Sequence, residues 1–307
     1  MTKLTTHVLF FMLFCMVPSA QAAKLKIEKV NAQVYALVGD LTQRNKQNLG
    51  NNATFGFVVT GEGVVLMDSG AGEQGAQEIH RLIKTVTSKP IKYVVNLGGQ
   101  DHRWLGNHYF KRQGATIIAS TKAVADQKQR LGQQFTQLSN LVGDQLMKGT
   151  KEYFADKTFE HSLDLKVGGV EFQLRHISQA HTPGDSFVWV PKHQVVFAGD
   201  IVYVDRLLSL IPVSHSAGWI KAFEAIAALK PKVIVPGHGR VTDLTRARSE
   251  TYDYLVALRA GMKALHAKGA TEESVHTFDQ SAYKHSAMYN EIKGGNALRV
   301  FIELELE

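Results

Sequence analysis

His181-Thr182-Pro183-Gly184-Asp185 sets an imidazole on a Pro-Gly turn, and nineteen positions later Ala198-Gly199-Asp200 ends an apolar run on a carboxylate. A further histidine on a glycine turn, in Val235-Pro236-Gly237-His238-Gly239, follows the apolar stretch Val233-Ile234-Val235. Imidazole nitrogen and carboxylate oxygen are the ligands that zinc and related divalent ions take, and a site with about three protein ligands and an open position is a catalytic one. The sole cysteine is Cys15, inside an N-terminal apolar stretch, so ligands must come from His, Asp and Glu. Three potential ligands at the ends of three apolar runs are more specific than any one of them.

The elements that must position these groups follow from the same text. Phe187 to Pro191 and Val195 to Phe197 read as two short strands joined by a polar turn at Lys192-His193. Such a pair returns its two ends to one edge of a sheet, which lets His181 and Asp200 face each other. Lys24 to Gly39 alternates as strands do, and the Gln-, Asn- and Gly-rich stretch from Asp40 to Asn52 is a loop long enough to suggest a function. Thr54 to Thr60 and Val64 to Asp68 form a hairpin about Gly61-Glu62-Gly63, closed by Asp68-Ser69-Gly70. A helix over about 72–88 carries Ala76, Ile79, Ile83 and Val86 on one face, and strands are expected over 91–96 and 115–119. Thr121 to Lys148 reads as a Gln-rich helical flap, and 159–177 as two strands about Lys166-Val167-Gly168-Gly169. An amphipathic helix over 218–230 precedes the strand leading to His238, and a long helix over 242–268 follows it. Strands, then helix, then strands, with the order repeated once, favours two packed β-sheets with helices outside in one domain.

These motifs resemble, in order and spacing, those of the metallo-β-lactamase superfamily: the hairpin ending Asp68-Ser69-Gly70, the His181 turn, Phe197-Ala198-Gly199-Asp200 and the His238 turn. The likeness covers about Val34 to Arg248, and exported members with a Gln-Arg and Asn-rich segment before the first hairpin look most similar. It implies an α/β fold, an αββα sandwich of the metallo-β-lactamase type, with a metal site at one edge of the two sheets. It implies that His181, Asp200 and His238 are metal ligands, Asp200 bridging two ions when both are bound. Asp68 would be a buried support behind the metal loop.

The departure lies in the first motif. Where the family has His-x-His-x-Asp-His, this chain has Asn96-Leu97-Gly98-Gly99-Gln100-Asp101-His102-Arg103, running on to Asn107. Aligned without a gap, Gly98 and Gln100 replace the two leading histidines, His102 takes the Asp position and Arg103 the last. Aligned on the Asp-His pair, Asp101 and His102 keep their roles. Both registers lose the leading histidines and keep His102. The usual first metal position then retains only His181 and Asp200, too few for a tight zinc site. The second retains His102, Asp200 and His238, with Asp101 or His181 close by. The expectation is one ion, zinc or another divalent metal, whose bound hydroxide attacks an ester, lactone, thioester or amide carbonyl. Arg103 is the nearby cation expected to stabilise the oxyanion, and His181 or Asp101 the candidate general base. The alternative is a degenerate member that binds a ligand or partner without turnover.

Lys3, the ten apolar residues Val8 to Val17 and Ala20-Gln21-Ala22 have the form of a secretory signal, too short in its apolar part to span a bilayer. The expected organisation is a signal peptide over 1–22 and one domain over 23–307, with the motifs in 34–248 and a helical segment over 249–307. That predicts a periplasmic or secreted protein without a stable membrane anchor. The net charge of +7 is scattered, with no basic run and no interleaved aromatics, which argues against nucleic acid and leaves a small-molecule substrate. His215, in a loop before a helix, is a further histidine placed to reach the mouth of the site.

Overall fold

The computed structural model describes residues 25–307; the processing signal read from the sequence lies outside them. Seven strands form one sheet in chain order: β1 (Lys26–Lys29), β2 (Val34–Val38), β3 (Phe55–Val59), β4 (Val64–Met67), β5 (Ile91–Asn96), β6 (Thr116–Ser120) and β7 (Lys157–Phe159). The second sheet runs β12 (Val233–Val235), β11 (Val195–Phe197), β10 (Phe187–Val190), β9 (Val170–Arg175), β8 (Ser162–Val167). β4 shows why the sequence forms this architecture. All four of its residues are buried, because Val65 and Met67 face the other sheet while Val64 and Leu66 face helix α1 (Gly72–Val86). A strand covered on both faces reads as a continuous apolar run rather than an alternating one.

Three cores result. Between the sheets, Val58, Val65, Met67, Val95 and Ile118 meet Phe172, Leu174, Val188, Val190, Val195 and Phe197. Outside the first sheet, Phe55, Phe57, Leu66, Val94 and Ile117 pack on Ala76, Ile79, Leu82 and Ile83 of α1. Within the first motif lie the short helices α2 (Asp101–Trp104) and α3 (Asn107–Arg112). The expected flap is three helices, α4 (Thr121–Gln129), α5 (Leu131–Val142) and α6 (Asp144–Met147), and it is anchored: Leu138 and Val142 are buried against Trp104 and Leu105. Outside the second sheet lies α7 (Ser216–Ala228). The expected long helix is α8 (Leu244–Ala247), a π turn (Arg248–Tyr252) and α9 (Asp253–Ala267); α10 (Tyr289–Glu305) ends the fold. All three layers of this outer face share one core, with Phe223, Leu258 and Phe301 in it.

β4 pairs β5 in parallel and β11 pairs β12 in parallel. Asp68, the 98–103 motif, Asp200 and His238 therefore all follow the carboxyl ends of strands, where open α/β sheets place their sites. β10 runs antiparallel to β11, so the His181 turn, which enters β10, arrives at that same edge.

Candidate metal centre

Asp68 adopts a left-handed backbone (φ 66°), which an aspartate tolerates, and this turns its carboxylate back across the strand ends. It accepts the Leu97 amide at 2.7 Å and Arg103 Nη1 at 2.8 Å. Burial pushes its pKa up to about 6, with Arg103 opposing. Arg103 is fully buried and all of its nitrogens are used: Nε and Nη2 bind Asp200 at 3.0 and 2.6 Å, and Nη1 and Nη2 also reach the Thr54 and Gly237 carbonyls. The residue read as an oxyanion cation is instead a clamp between two carboxylates. It has no N–H left for a substrate. Burial raises the Asp200 carboxyl, but Arg103, followed by the His102 and His238 rings, outweighs this and holds it well below the usual range.

Around Asp200, one ring nitrogen of His102, one of His238 and a carboxylate oxygen lie within 4.8 Å of one another, all buried. His238 Nδ1 sits 3.2 Å from the Asn52 carbonyl, which can only accept; the proton is therefore on Nδ1 and the Nε2 lone pair faces Asp200 at 3.4 Å. His102 is the informative member. Its Nε2 is 3.6 Å from Asp200 Oδ2 and its Nδ1 3.2 Å from Asp101 Oδ1, yet neither nitrogen makes a hydrogen bond. A buried imidazole with two orphaned nitrogens is costly unless something else is bound. The donor set thus fits one divalent ion: two imidazole nitrogens and a carboxylate oxygen of Asp200, of which Oδ2 accepts only Arg103 Nε while Oδ1 accepts both Arg103 Nη2 and the Tyr203 hydroxyl at 3.0 Å.

Asp101 and His181 stand outside that trio. Asp101 gives both oxygens to Arg44, from the 40–52 loop; burial alone would raise its pKa, but Arg44 and then His102 hold it well below the usual range. His181 donates from Nδ1 to the Ser209 carbonyl at 2.8 Å, and its Nε2 meets the terminal amide of Gln100 at 2.8 Å. Burial lowers its pKa to about 4, partly offset by Asp200, so the ring is neutral. The atom placed there is Gln100 Oε1, so a neutral ring with its proton on Nδ1 is satisfied at Nε2 only with the amide flipped to present its NH2. Gln100, which in the ungapped alignment replaces a lost histidine, thus contacts the histidine that would have shared that metal. At Gly98 a side chain has no room either, since a Cβ would lie 2.5 Å from Asp185 Oδ1. His215 is elsewhere: its Nδ1 accepts the Gly218 amide as the N-cap of α7.

His102 and His238 of the trio, with Asp200 behind them, open on a cavity of about 320 Å³ also lined by His181 and Tyr203, by the amides of Gln43, Asn52, Gln100, Gln133 and Gln137, and by Ile211, Pro212 and Val213. Three arginines also line it and no carboxylate does. Arg44 is paired with Asp101 and Arg130 with Asp126. Arg206 is 6% exposed, donates Nε to the Leu41 carbonyl and has no carboxylate partner among the described residues. Sequence reading missed Arg44, Tyr203 and Arg206. Only Arg44 had a signal, as the arginine of the Gln-Arg segment; the other two are ordinary residues until the fold turns them inward.

An αββα sandwich with a His/Asp ligand cluster at strand ends drawn from both sheets defines a class of metal-binding hydrolytic folds. Residues 50–238 match the metallo-beta-lactamase superfamily, and the chain belongs to it. A metallo-beta-lactamase type 2 of Elizabethkingia meningoseptica is 25% identical over 248 residues, 80% of this chain and 90% of that protein. The solved metallo-beta-lactamase from Pontibacter korlensis aligns with a TM-score of 0.59 at 24% identity, over 76% of this chain and 99% of its own. A sec-alkyl sulfatase, PisA1, aligns at 0.73 and 16% identity, over 91% of this chain and 50% of its own. At these identities the structural likenesses speak for the fold. Membership of the superfamily supports metal-dependent hydrolysis as the coarse activity.

Proposed function

We propose that the protein is a single-ion metallohydrolase, its ion, most simply zinc, held by His102, Asp200 and His238, acting on a small anionic substrate with an ester, lactone, thioester or amide carbonyl. The observation that carries this is the buried trio with His102 otherwise unpartnered at both nitrogens. When bound, such an ion acidifies a water to a pKa of about 7 and polarises a carbonyl. Asp200 is kept ionised and aimed by Arg103, and His238 is held by Asn52 in the tautomer that presents Nε2. Both candidate bases are engaged, Asp101 by Arg44 and His181 Nε2 by the Gln100 amide, but only His181 lines the cavity, and it can take a proton there once Gln100 moves aside. Burial, which lowers its pKa to about 4, makes His181 a weak base.

Substrate charge is read from Arg206. A buried guanidinium facing the cavity without a counter-ion favours a ligand carrying a negative group such as a carboxylate. The export signal would place the enzyme in the periplasm or outside the cell; among the described residues no helix is long and apolar enough to cross a membrane.

The test is metal content by mass spectrometry on protein purified without chelator, beside His238→Ala. One ion per chain, lost in the variant, is the expected result; an unchanged content in His238→Ala sinks the assignment. For turnover, Arg206→Met is expected to raise KM for a carboxylate substrate about tenfold or more and to leave its neutral methyl ester unaffected, since a charged hydrogen bond contributes about 1.5–3 kcal/mol. The second reading, ligand binding without turnover, draws on Arg103, which already gives Asp200 a cation. Absence of bound metal after incubation with zinc would favour it.

A further inference from the structure

The 98–104 segment has lost two residues that, in the family it resembles, tie it to metal, yet every turn of it is held. Gln127 of α4 donates Nε2 to the Gly98 carbonyl at 3.3 Å, and Gln134 of α5 donates Nε2 to the Gly99 carbonyl at 2.9 Å. Both side chains are buried. Gln134 is fixed in turn by the Trp104 indole, which donates to its Oε1 at 2.8 Å. The Gly99 amide donates to Thr182 Oγ1 at 3.1 Å, and Gln100 meets His181. The close approach depends on the glycines, since a Cβ at Gly98 would crowd Asp185 and one at Gly99 would strike Asp126.

We propose that Gln127 and Gln134 are positioning residues: the Gln-rich helical insert orders the metal-motif loop by amide-to-carbonyl bonds, so that His102 and Arg103 are in place before any ion arrives. The inference concerns the same site as the proposed function and takes from it only that the ion sits on His102, Asp200 and His238. The physical case is that buried carbonyls must be satisfied, and here they are satisfied by side chains from another element rather than left to metal-driven ordering. Trp104 makes the arrangement self-consistent, because one Gln134 amide serves the start and the end of the loop at once. The glycines and glutamines that look like decay in the motif are therefore one coupled replacement.

The test is hydrogen–deuterium exchange on peptides spanning residues 97–105, in protein stripped with EDTA and in zinc-saturated protein. Wild type is expected to protect this segment equally in both states, within about twofold. In Gln127→Met/Gln134→Met the stripped segment is expected to exchange at least about tenfold faster, as loss of two such bonds implies. Peptides from β5 and β6 should be unchanged, and zinc should restore protection. Trp104→Phe loses the indole bond but keeps the amide on Gly99, and is expected to retain protection; a loss as large as that of the double variant would reduce the role to packing and overturn the proposal. Wild-type protection that appears only with zinc would overturn it as well. Should the double variant fail to fold, Gln127→Met alone tests the bond at Gly98 and Gln134→Met alone the bond at Gly99. Zinc titration by calorimetry on the same samples separates the two ideas, because absence of zinc binding sinks the single-ion reading while protection of the stripped wild type still decides this one.

Discussion

Arg103 is the residue on which the site turns. Aligned without a gap it stands where the family's motif has its last histidine, and it meets Asp68 and Asp200 at once from a fully buried position. Replacing it by Met keeps much of the volume and leaves two buried carboxylates without their cation. The expected cost is about 3–5 kcal/mol, the range for breaking a buried pair by removing one partner, read from the urea midpoint. Arg103→Lys keeps the charge but cannot span both carboxylates, and an intermediate loss is expected. A loss below about 1 kcal/mol in Arg103→Met would mean that the carboxylates protonate freely and that the clamp contributes little. At this scale the sequence was half legible. His102, Asp200 and His238 could be named because each sits in a motif, whereas the direction of Arg103 depends on where Asp68 lies, thirty-five positions earlier.

Among the elements, α10 shows how the end of the chain serves the sheet that carries Asp200. Glu303 accepts the Ser216 amide with both oxygens, at 3.0 and 2.9 Å, and so caps the N-terminus of α7 from outside that helix. Arg259 of α9 binds the same carboxylate at 3.1 Å. A carboxylate there satisfies orphan amides and complements the positive helix end. Glu303→Ala is expected to cost about 1–3 kcal/mol through the lost cap and the half-stranded arginine, seen as a lower denaturation midpoint. Because α7 packs Trp219 onto the Asp200 loop, with Nε1 donating to the Ile201 carbonyl at 2.9 Å, any fall in zinc affinity in that variant would report how far the cap reaches. No change in either quantity would make α10 a passive cover. Helix positions were readable from apolar periodicity, but the breaks within 121–148 and 242–268 were not, because they answer to partners such as Trp104 and Thr251, whose hydroxyl is bonded to the Tyr203 backbone.

For the whole molecule, the buried imidazoles make stability depend on pH. His181 has its pKa lowered to about 4 in the fold, chiefly by burial. Unfolded, the ring binds a proton below about pH 6.5; folded, it stays neutral until about 4. The unfolded state therefore holds the extra proton in that window, so this group's contribution is intact above about 6.5 and is lost as pH falls towards 4. Asp68, raised to about 6 by burial, acts in the opposite sense, gaining stability as pH falls through the range from 6 to its ordinary value. The clean measurement is a difference. In metal-stripped protein, His181→Gln is expected to gain about 2–3 kcal/mol relative to wild type between pH 7 and pH 4.5, by chemical denaturation at each pH. A difference that does not vary with pH would mean that the His181 ring takes up its proton in the fold as readily as in the unfolded chain.

Local sequence determined what depends on local pattern. Apolar runs bounded by glycine turns gave the strands, and the ends of such runs gave Asp200 and His238, while His102 came from the resemblance of the 96–107 stretch to a family motif. The loss of two motif histidines was visible too, and with it the expectation of one ion. Only the tertiary structure decided which of Asp101, His102 and Arg103 faces Asp200, because a helical turn sends consecutive side chains in different directions: to Arg44, into the trio and onto the buried carboxylates. It also decided that Gln100 answers His181, that two glutamines from a distant insert hold the glycine loop, and that Arg206 is left without a partner in the cavity. Those outcomes rest on contacts between residues 29 to 165 positions apart, and no pattern along the chain encodes them.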